Sequence, residues 1–232
     1  YFPHYPQERT TIIPLGSRPT IQELSEKESA SLLQKMGVAQ GPFWLGVGTV
    51  EPRKNYQLLI EAYAQWRKTS GQAWPLYIAG GRGWLESAIY QAVEKYGLTD
   101  CVKFLGYVSD EELAALYSSC FAFVYPSLYE GFGLPVLEAM TCGAPVIVSD
   151  STSLPEVAGE AGFYINPQQA SSLSQQMRAL SAQQSLRLKW REASRRQAAR
   201  FSWSQAAKLT LQAYETALAQ EPWFSAARGA GR

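Results

Sequence analysis

Two glutamates eight positions apart, Glu130 and Glu138, enclose the stretch of this sequence with the clearest capacity for chemistry. Pro135 predicts the first turn of a helix between them, because that turn does not need the N–H that proline lacks. Gly131 and Gly133 let the backbone approach a ligand closely. We therefore expect the two carboxylates to flank one bound molecule, each gripping hydroxyl groups of a different part of it.

The start of that helix is a predicted anion site. Amides in a first helical turn have no partner within the helix, and the helix dipole adds a partial positive charge, so phosphate binds well there. The amides that we expect to be free for a ligand are those of Gly133, Leu134 and Val136. An ordinary helix start, with one surface glutamate and one that compensates the dipole, is the alternative.

A basic pair, Arg53 and Lys54, follows Pro52 where another helix is predicted to begin. Cations are unfavourable at the positive end of a helix dipole unless an anion offsets them. Arginine presents a planar fork of donors to phosphate and lysine a mobile point charge, so the pair predicts phosphate binding. Two solvated charges after a turn are the alternative. A dinucleotide-binding fingerprint is disfavoured, because Glu51 stands where that fingerprint needs its third glycine.

Two other loops after predicted strands carry weaker signals. The glycine-rich turn at 80–83 can approach a ligand, although an ordinary turn explains it equally well. Tyr107 and Val108 come at the end of a strand, where they are suited to line a pocket for a flat base. Ser109 and Glu112 have the spacing of a capping box, and a structural role is sufficient for both.

The composition excludes several classes of protein and of site. Hydrophobic residues make up 46% of the 232 residues and charged residues 18%, which is typical of a globular chain without a membrane span. A net charge of +1 disfavours a nucleic-acid binder that relies on bulk charge. His4 is the only histidine, and the aspartates are well separated, which argues against a histidine base in the core and a paired-aspartate metal site. Three cysteines without zinc-binding spacing favour a reducing compartment, the cytoplasm.

A predicted helix at 184–200 carries a run of basic residues. Arg187, Arg191 and Arg195 recur every four positions and therefore lie on one helical face. We interpret this face as solvated. The alternative is contact with an anionic acceptor or, peripherally, with the inner face of an anionic membrane.

Short apolar runs alternate with stretches of helical periodicity along most of the chain. The predicted strands are 43–48, 75–80, 102–105, 121–125, 145–149 and 162–166. The predicted helices are 19–36, 56–69, 84–96, 110–118, 134–142, 169–180, 184–200 and 202–219. Apolar strands without polar alternation are typical of a parallel sheet covered on both faces. Right-handed crossovers then make an α/β, Rossmann-like doubly wound domain, with ligands expected beyond the carboxyl ends of its strands.

We divide the chain into a leader and linker with a short helix (1–41), a Rossmann-like domain (42–220) and a frayed tail (221–232). In this order the pieces resemble the C-terminal, donor-binding domain of the family 4 (group 1) glycosyltransferases, retaining enzymes of the GT-B fold. The resemblance covers nearly the whole chain. The segments that carry it are 13–16, 48–55, 78–81, 106–108, 126–138, 143–147, 154–157 and 201–203.

The resemblance implies a role for each matching residue. Arg53 and Lys54 would hold the diphosphate of a nucleotide-sugar donor, Glu130 would contact the sugar near the reacting carbon, and Glu138 would bind the ribose. The backbone of Gly131, Phe132, Gly133 and Leu134 would line the sugar and phosphates, Tyr107, Val108 and Leu113 would border the base, and Gly48 and Gly81 would allow close passage. Many relatives have arginine where this sequence has Thr49, which leaves Arg53 and Lys54 as the cationic pair.

The same resemblance implies a hexosyltransferase of polysaccharide biosynthesis, with GDP-mannose or UDP-glucose as donor and a glycan or lipid-linked acceptor. It implies no cofactor and no metal, because cations and amides can replace the ion. The acceptor site of the family lies in an N-terminal domain, so we expect this chain alone to bind nucleotide without efficient turnover. Glu130 acts either as a nucleophile or by orienting the sugar. A non-catalytic nucleotide-sugar-binding module and a nicotinamide-dependent oxidoreductase are the competing functions.

Overall fold

Six parallel strands form one sheet within the unit Ser17–Arg200 of the computed structural model, which describes residues 10–220. The strands are β1 (Trp44–Val47), β2 (Leu76–Ala79), β3 (Val102–Gly106), β4 (Ala122–Tyr125), β5 (Val146–Ser149) and β6 (Gly162–Ile165). Their order across the sheet is β3-β2-β1-β4-β5-β6, and each neighbouring pair is parallel. The four central strands are buried along their whole length, which explains their continuous apolar sequences.

Helices cover the sheet, and those that lie between two strands in the chain connect each strand to the next. They are α1 (Glu26–Lys35), α2 (Tyr56–Ser70), α3 (Ser87–Lys95), α4 (Asp110–Ser119), α5 (Leu134–Thr141), α6 (Leu154–Ala158), α7 (Ala170–Ala182) and α8 (Arg187–Ala198), with α9 (Trp203–Gln220) following in the second unit. Helix α2 packs with α3 and α7, whereas α1 packs with α4, and α5 with α8. The α/β, Rossmann-like doubly wound prediction is therefore confirmed.

Local signals set several element boundaries differently from the predictions. Helix α1 begins only after Ser25, which forms a capping box with Glu28, so the predicted helix 19–36 started too early. Helix α3 begins at Ser87 rather than at residue 84, because Leu85 has a φ of 52°, in the left-handed region. The predicted helix 184–200 is a 3₁₀ turn followed by α8. Helix α6 was not predicted.

An aromatic cluster fills the core under α2 at the amino end of the sheet. The Trp44 ring on β1 lies 5.3 Å from both Trp66 and Phe121, with edge-to-face geometry, and 5.8 Å from Trp74. All four rings are buried. This end of the sheet is thus closed by packing, and the loops at the opposite, carboxyl end are the ones available for chemistry.

The basic face of α8 packs inward, so its interpretation as a solvated face is wrong. Arg191 is 7% exposed and donates to the backbone oxygens of Ser118 and Cys142. Arg187 donates to the carbonyl of Cys120, at the end of α4. These guanidinium groups satisfy carbonyls that a helix end leaves without partners and complement its dipole. The peripheral membrane contact stays a prediction.

The compact unit Ser17–Arg200 begins and ends earlier than the predicted domain 42–220. It includes α1, which packs on α4, so the segment predicted as a linker is in part integral to the body that carries the sheet. The described residues of the second unit are 10–16 and 201–220. His4 and the predicted tail 221–232 lie outside the described residues. Within residues 10–220, none of the helices combines the length and apolar character that crossing a bilayer requires.

Candidate functional site

The strand order brings two distant sequence motifs together at the carboxyl edge of the sheet. The chain reverses its winding between β1 and β4, the position at which open α/β sheets bind ligands. There the 3₁₀ turn Pro52–Lys54 lies beside the loop that follows β4. Leu128 donates its amide to the carbonyl of Arg53 at 2.9 Å. The predicted basic pair is therefore a spatial neighbour of residues 126–133, the loop that carries Glu130 and is called the glutamate loop below.

Asn55 holds the turn in this position. It adopts left-handed backbone geometry, with a φ of 59°, between the 3₁₀ turn and α2. Its side-chain amide donates to the carbonyls of Pro126 (3.1 Å) and Pro167 (2.8 Å), which belong to two other loops of the same edge. Asparagine tolerates this conformation better than most residues and can donate at the same time. Its role could not be recognised from the sequence.

Glu130 is the centre of a dense polar cluster. Its Oε1 atom accepts four hydrogen bonds, from Arg53 Nη1 (2.8 Å), Lys54 Nζ (2.8 Å), Tyr125 Oη (2.9 Å) and Ser127 Oγ (2.5 Å). The structure thus joins three residues that the sequence singled out and adds two that it did not. The glutamate side chain is 11% exposed and that of Lys54 only 8%, whereas Arg53 is 41% exposed.

The electrostatics of this cluster keep Glu130 ionised. Burial raises the pKa of its carboxyl group, but hydrogen bonds from Lys54 and Ser127 oppose it, and the net pKa lies below the usual range. Burial lowers the pKa of Lys54, and the charge of Glu130 limits that effect. Burial and the nearby Glu130 raise the pKa of Tyr125 far above its ordinary value, so its hydroxyl keeps its proton.

Glu51 positions the exposed arginine. Arg53 Nη2 donates to Glu51 Oε1 at 2.7 Å, while the indole N–H of Trp84 donates to Oε2 of the same carboxylate at 3.2 Å. From the sequence, Glu51 served only as evidence against a dinucleotide fingerprint. In the structure, Glu51 and Glu130 hold the guanidinium between them, which neutralises the basic pair and fixes its direction.

The start of α5 follows the glutamate loop directly. Gly133 is the N-cap residue with a φ of 104°, a conformation that favours glycine, and it provides no side-chain cap. The Val136 amide bonds to the Gly133 carbonyl at 2.9 Å, so the expectation that it is free for a ligand is wrong. A Cβ at Gly131 would meet nothing within 4 Å, which leaves open space beside this segment of backbone.

The loop after β5 contributes two side chains that hold the glutamate loop in place. Thr152 Oγ1 accepts from the Glu130 amide at 3.2 Å, and Ser153 Oγ lies within hydrogen-bond distance of the carbonyls of Glu130 (3.0 Å) and Phe132 (2.9 Å). The loop is consequently held by backbone contacts as well as by its carboxylate. Short polar side chains after a strand were the sequence signal available, but it is too common to identify such a contact.

Glycines allow the backbones of the loops after β1 and β2 to approach each other closely at this edge of the sheet. Gly80 has a φ of 149°, and a Cβ there would lie 2.1 Å from the carbonyl oxygen of Gly48. Gly48 itself has a φ of 139°, and its Cβ would approach the Lys54 side chain to 3.0 Å. At Gly81 a Cβ would meet nothing within 4 Å. Gly81 is thus the glycine of this turn that leaves open space.

Glu138 is the fifth of the eight residues of α5 and is only 3% exposed. Its carboxylate binds the guanidinium of Arg18, with Nε donating to Oε1 at 2.6 Å and Nη2 to Oε2 at 3.2 Å. The third nitrogen of Arg18 donates to Asp110 at 2.7 Å. The two glutamates of the motif therefore have different cationic partners, and Arg18 was not recognised from the sequence.

The residues predicted to border a base follow β3. Tyr107 is 88% exposed, Val108 is half-buried, and Leu113 is buried within α4. The predicted capping box of Ser109 and Glu112 is confirmed. No group of three or more histidine, cysteine, aspartate or glutamate side chains in the described part of the chain is arranged to hold a metal ion.

Comparison with known proteins identifies the class to which this fold and site belong. The model of the family described as glycosyl transferases group 1 matches residues 34–197. The chain therefore belongs to the group 1 glycosyl transferases. Among curated relatives, O-antigen chain mannosyltransferase B of Escherichia coli is 42% identical over 171 residues, which are 74% of this chain and 45% of that protein.

Solved structures show the same fold. Sucrose-phosphate synthase of Thermosynechococcus elongatus superposes with a TM-score of 0.78 at 29% identity, over 91% of this chain and 53% of that one. Anabaena HepE in complex with UDP and glucose superposes with a TM-score of 0.79 at 24% identity, over 93% of this chain and 59% of that one. The chain thus spans about half the length of each of these three proteins.

Proposed function

We propose that this chain is the donor-binding half of a retaining hexosyltransferase. It binds a nucleoside diphosphate hexose, which is passed to a glycan or lipid-linked acceptor in polysaccharide biosynthesis. The observation that carries the proposal is the cluster of Arg53, Lys54 and Glu130 at the point where the sheet reverses its winding. Similarity to an O-antigen mannosyltransferase favours GDP-mannose as donor, with UDP-glucose as the alternative.

The two cations have different parts in this proposal. Lys54 is buried and locked between Glu130 and Tyr125, so it is a fixed charge at the base of the site. Arg53 is 41% exposed, and it can exchange Glu51 for a phosphate without a change of the backbone. As the sugar–phosphate bond breaks, negative charge grows on the departing diphosphate. Donors already fixed beside it lower the barrier, and removal of one such donor typically slows a reaction by ~10²–10³.

Glu130 orients the sugar rather than attacking it. Four donors converge on its Oε1 atom, and its pKa is held low, which makes the carboxylate a weak nucleophile. Its fixed position suits hydrogen bonds to sugar hydroxyls. Retention would then come from departure of the diphosphate and attack by the acceptor on the same face of the ring.

The proposal needs neither a cofactor nor a metal ion. Arg53, Lys54 and the amides of Gly133 and Leu134 at the start of α5 supply the positive potential that the leaving diphosphate requires. In this proposal the acceptor site lies in a further domain, as the family resemblance implies, and the matched residues make up 45% of the mannosyltransferase relative. Sugar transfer is accordingly an activity of the longer protein.

A thermal-unfolding panel with GDP, UDP, ADP and their sugars tests the donor assignment. A ligand at about 100 times its dissociation constant stabilises the folded chain by ~2.7 kcal/mol, which shifts the midpoint by several degrees. We expect one nucleoside diphosphate family to stabilise the chain and NADH to have no effect. Failure of every nucleotide to bind would refute the proposal, and efficient sugar transfer by the 232-residue chain alone would refute its restriction to one half.

A further inference from the structure

Arg18 binds the carboxylate of Glu138, the group that the proposed function assigns to the donor ribose. Both side-chain hydrogen bonds to Glu138 in the described part of the chain come from this one guanidinium, at 2.6 and 3.2 Å. The arginine is 43% exposed and the glutamate 3%, so the cation covers the carboxylate on its solvent side. A pair of ribose hydroxyls can reach Glu138 only if the guanidinium moves.

The segment that carries Arg18 allows this movement. Ile21 is fully buried, and the amide of Leu24 donates to Ser118 Oγ at 3.0 Å. Glu23, next to it, binds Arg191 at 2.6 Å. These contacts hold the segment to the body on the carboxyl side of Arg18. Release of the arginine side chain therefore breaks ion pairs but leaves this packing in place.

Asp110 gives the displaced arginine a second partner. Arg18 Nη1 already donates to Asp110 Oδ1 at 2.7 Å, and the Thr20 hydroxyl donates to Oδ2 of the same carboxylate. The guanidinium can therefore pivot towards Asp110 without losing all of its compensation. A cation held between two carboxylates, of which only one is needed by the ligand, is arranged to exchange.

We propose that Arg18 is a built-in competitor of the donor, which holds Glu138 when the site is empty and must release it before the ribose can bind. The inference rests on the proposed function, in which Glu138 receives the ribose hydroxyls. It adds that the affinity for the donor is set partly by a residue outside the binding motifs. Nucleotide binding and the conformation of the segment around Arg18 are thereby coupled.

Calorimetric titration of the 232-residue chain with GDP and UDP, each beside its 2′,3′-dideoxy form, tests this competition. Arg18→Ala is expected to bind the ribonucleotide about five-fold more tightly, the equivalent of about 1 kcal/mol for a partly exposed ion pair. The dideoxynucleotide, which lacks both hydroxyls, is expected to bind the variant and the unchanged chain alike. Loss of a positive charge by itself would weaken anion binding, so a gain has the opposite sign to that general effect.

Two further variants guard against a merely structural explanation. Arg18→Ala also leaves a buried carboxylate without a partner and should lower the melting temperature of the unliganded chain. Asp110→Asn keeps Glu138 paired but removes the partner to which the displaced arginine would pivot, so it is expected to weaken ribonucleotide binding. Arg178→Ala, on the exposed side of α7, is the control for charge and should change neither quantity.

The outcomes separate this inference from the proposed function. If the unchanged chain prefers the ribonucleotide but Arg18→Ala binds it equally or more weakly, Arg18 is not a competitor and the proposed function stands. If the unchanged chain binds ribo- and dideoxynucleotides equally, Glu138 does not receive the ribose, and the inference fails with that assignment. If no nucleotide binds, both proposals are refuted.

Discussion

Replacement of Lys54 by alanine is the sharpest test of the phosphate assignment. The Lys54 side chain is 8% exposed, and its ammonium group contacts Glu130 and the Tyr125 hydroxyl. The substitution removes the buried cation while Arg53 and Ser127 still bind the same glutamate oxygen. The site therefore keeps its carboxylate paired and loses one defined charge.

The magnitude follows from the kind of contact that is lost. A hydrogen bond to a charged group contributes about 1.5–3 kcal/mol. If Lys54 binds the diphosphate, the dissociation constant of GDP or UDP should rise by about 10- to 150-fold. The corresponding nucleoside has no phosphate, so its affinity should not change. The ratio of nucleotide to nucleoside affinity, measured by calorimetry, isolates the phosphate contact from any general distortion of the site.

Lys68→Ala is the matched control, because it removes an exposed lysine near the far end of α2. We expect that variant to bind nucleotide and nucleoside like the unchanged chain. Unchanged nucleotide affinity in Lys54→Ala would remove Lys54 from the phosphate site. An equal loss of nucleoside affinity would show that the substitution disturbs the pocket as a whole.

Three further predictions concern stability. Because the pKa of Glu130 is lowered in the fold, its ionised carboxylate stabilises the fold at pH values above the ordinary pKa of 4.5. The difference in unfolding free energy between the unchanged chain and Glu130→Gln should therefore shrink as the pH falls below about 4.5. Gly80→Ala should lower the free energy of unfolding, measured in urea, by at least about 2 kcal/mol, because its Cβ would meet backbone at 2.1 Å. Gly81→Ala, which lies beside open space, should lower it by less than about 1 kcal/mol. The Gly81 variant should nevertheless bind nucleotide more weakly. Arg191→Ala should lower the free energy of unfolding by about 3 kcal/mol, because it leaves buried partners unpaired. The control Lys189→Ala, at an exposed position, should lower it by about 0.5 kcal/mol or less. Equal losses would contradict the buried role of Arg191.

Much of the architecture could be predicted because its determinants are local. The apolar runs of β1, β2, β4 and β5 have the length and character of buried strands, and the helices between them carry their own periodicity. Ser109 and Glu112 specify the start of α4 within four residues of sequence. Helix α6 escaped prediction because its five residues give too short a period to recognise.

The candidate site was predictable only in part. Arg53, Lys54 and Glu130 could be chosen because cations and a carboxylate beside glycine-rich loops are unusual residues for those positions. Ser127 and Thr152 are ordinary loop residues, and nothing in their local sequence indicates that they bind Glu130. The inward packing of Arg191 was missed for a similar reason, since charge periodicity is the same for a solvated face and for one that caps another helix.

By itself the sequence determined the kind of sheet, the order of its elements and the residues that bear charge near its carboxyl edge, because propensity, capping and apolar patterning act over a few neighbouring positions. Only the tertiary structure decided which charges meet. Arg18 and Glu138 are 120 positions apart, and Lys54 and Glu130 are 76 apart. Such pairs depend on a strand order in which β1 lies beside β4, and on burial that makes each carboxylate require a partner.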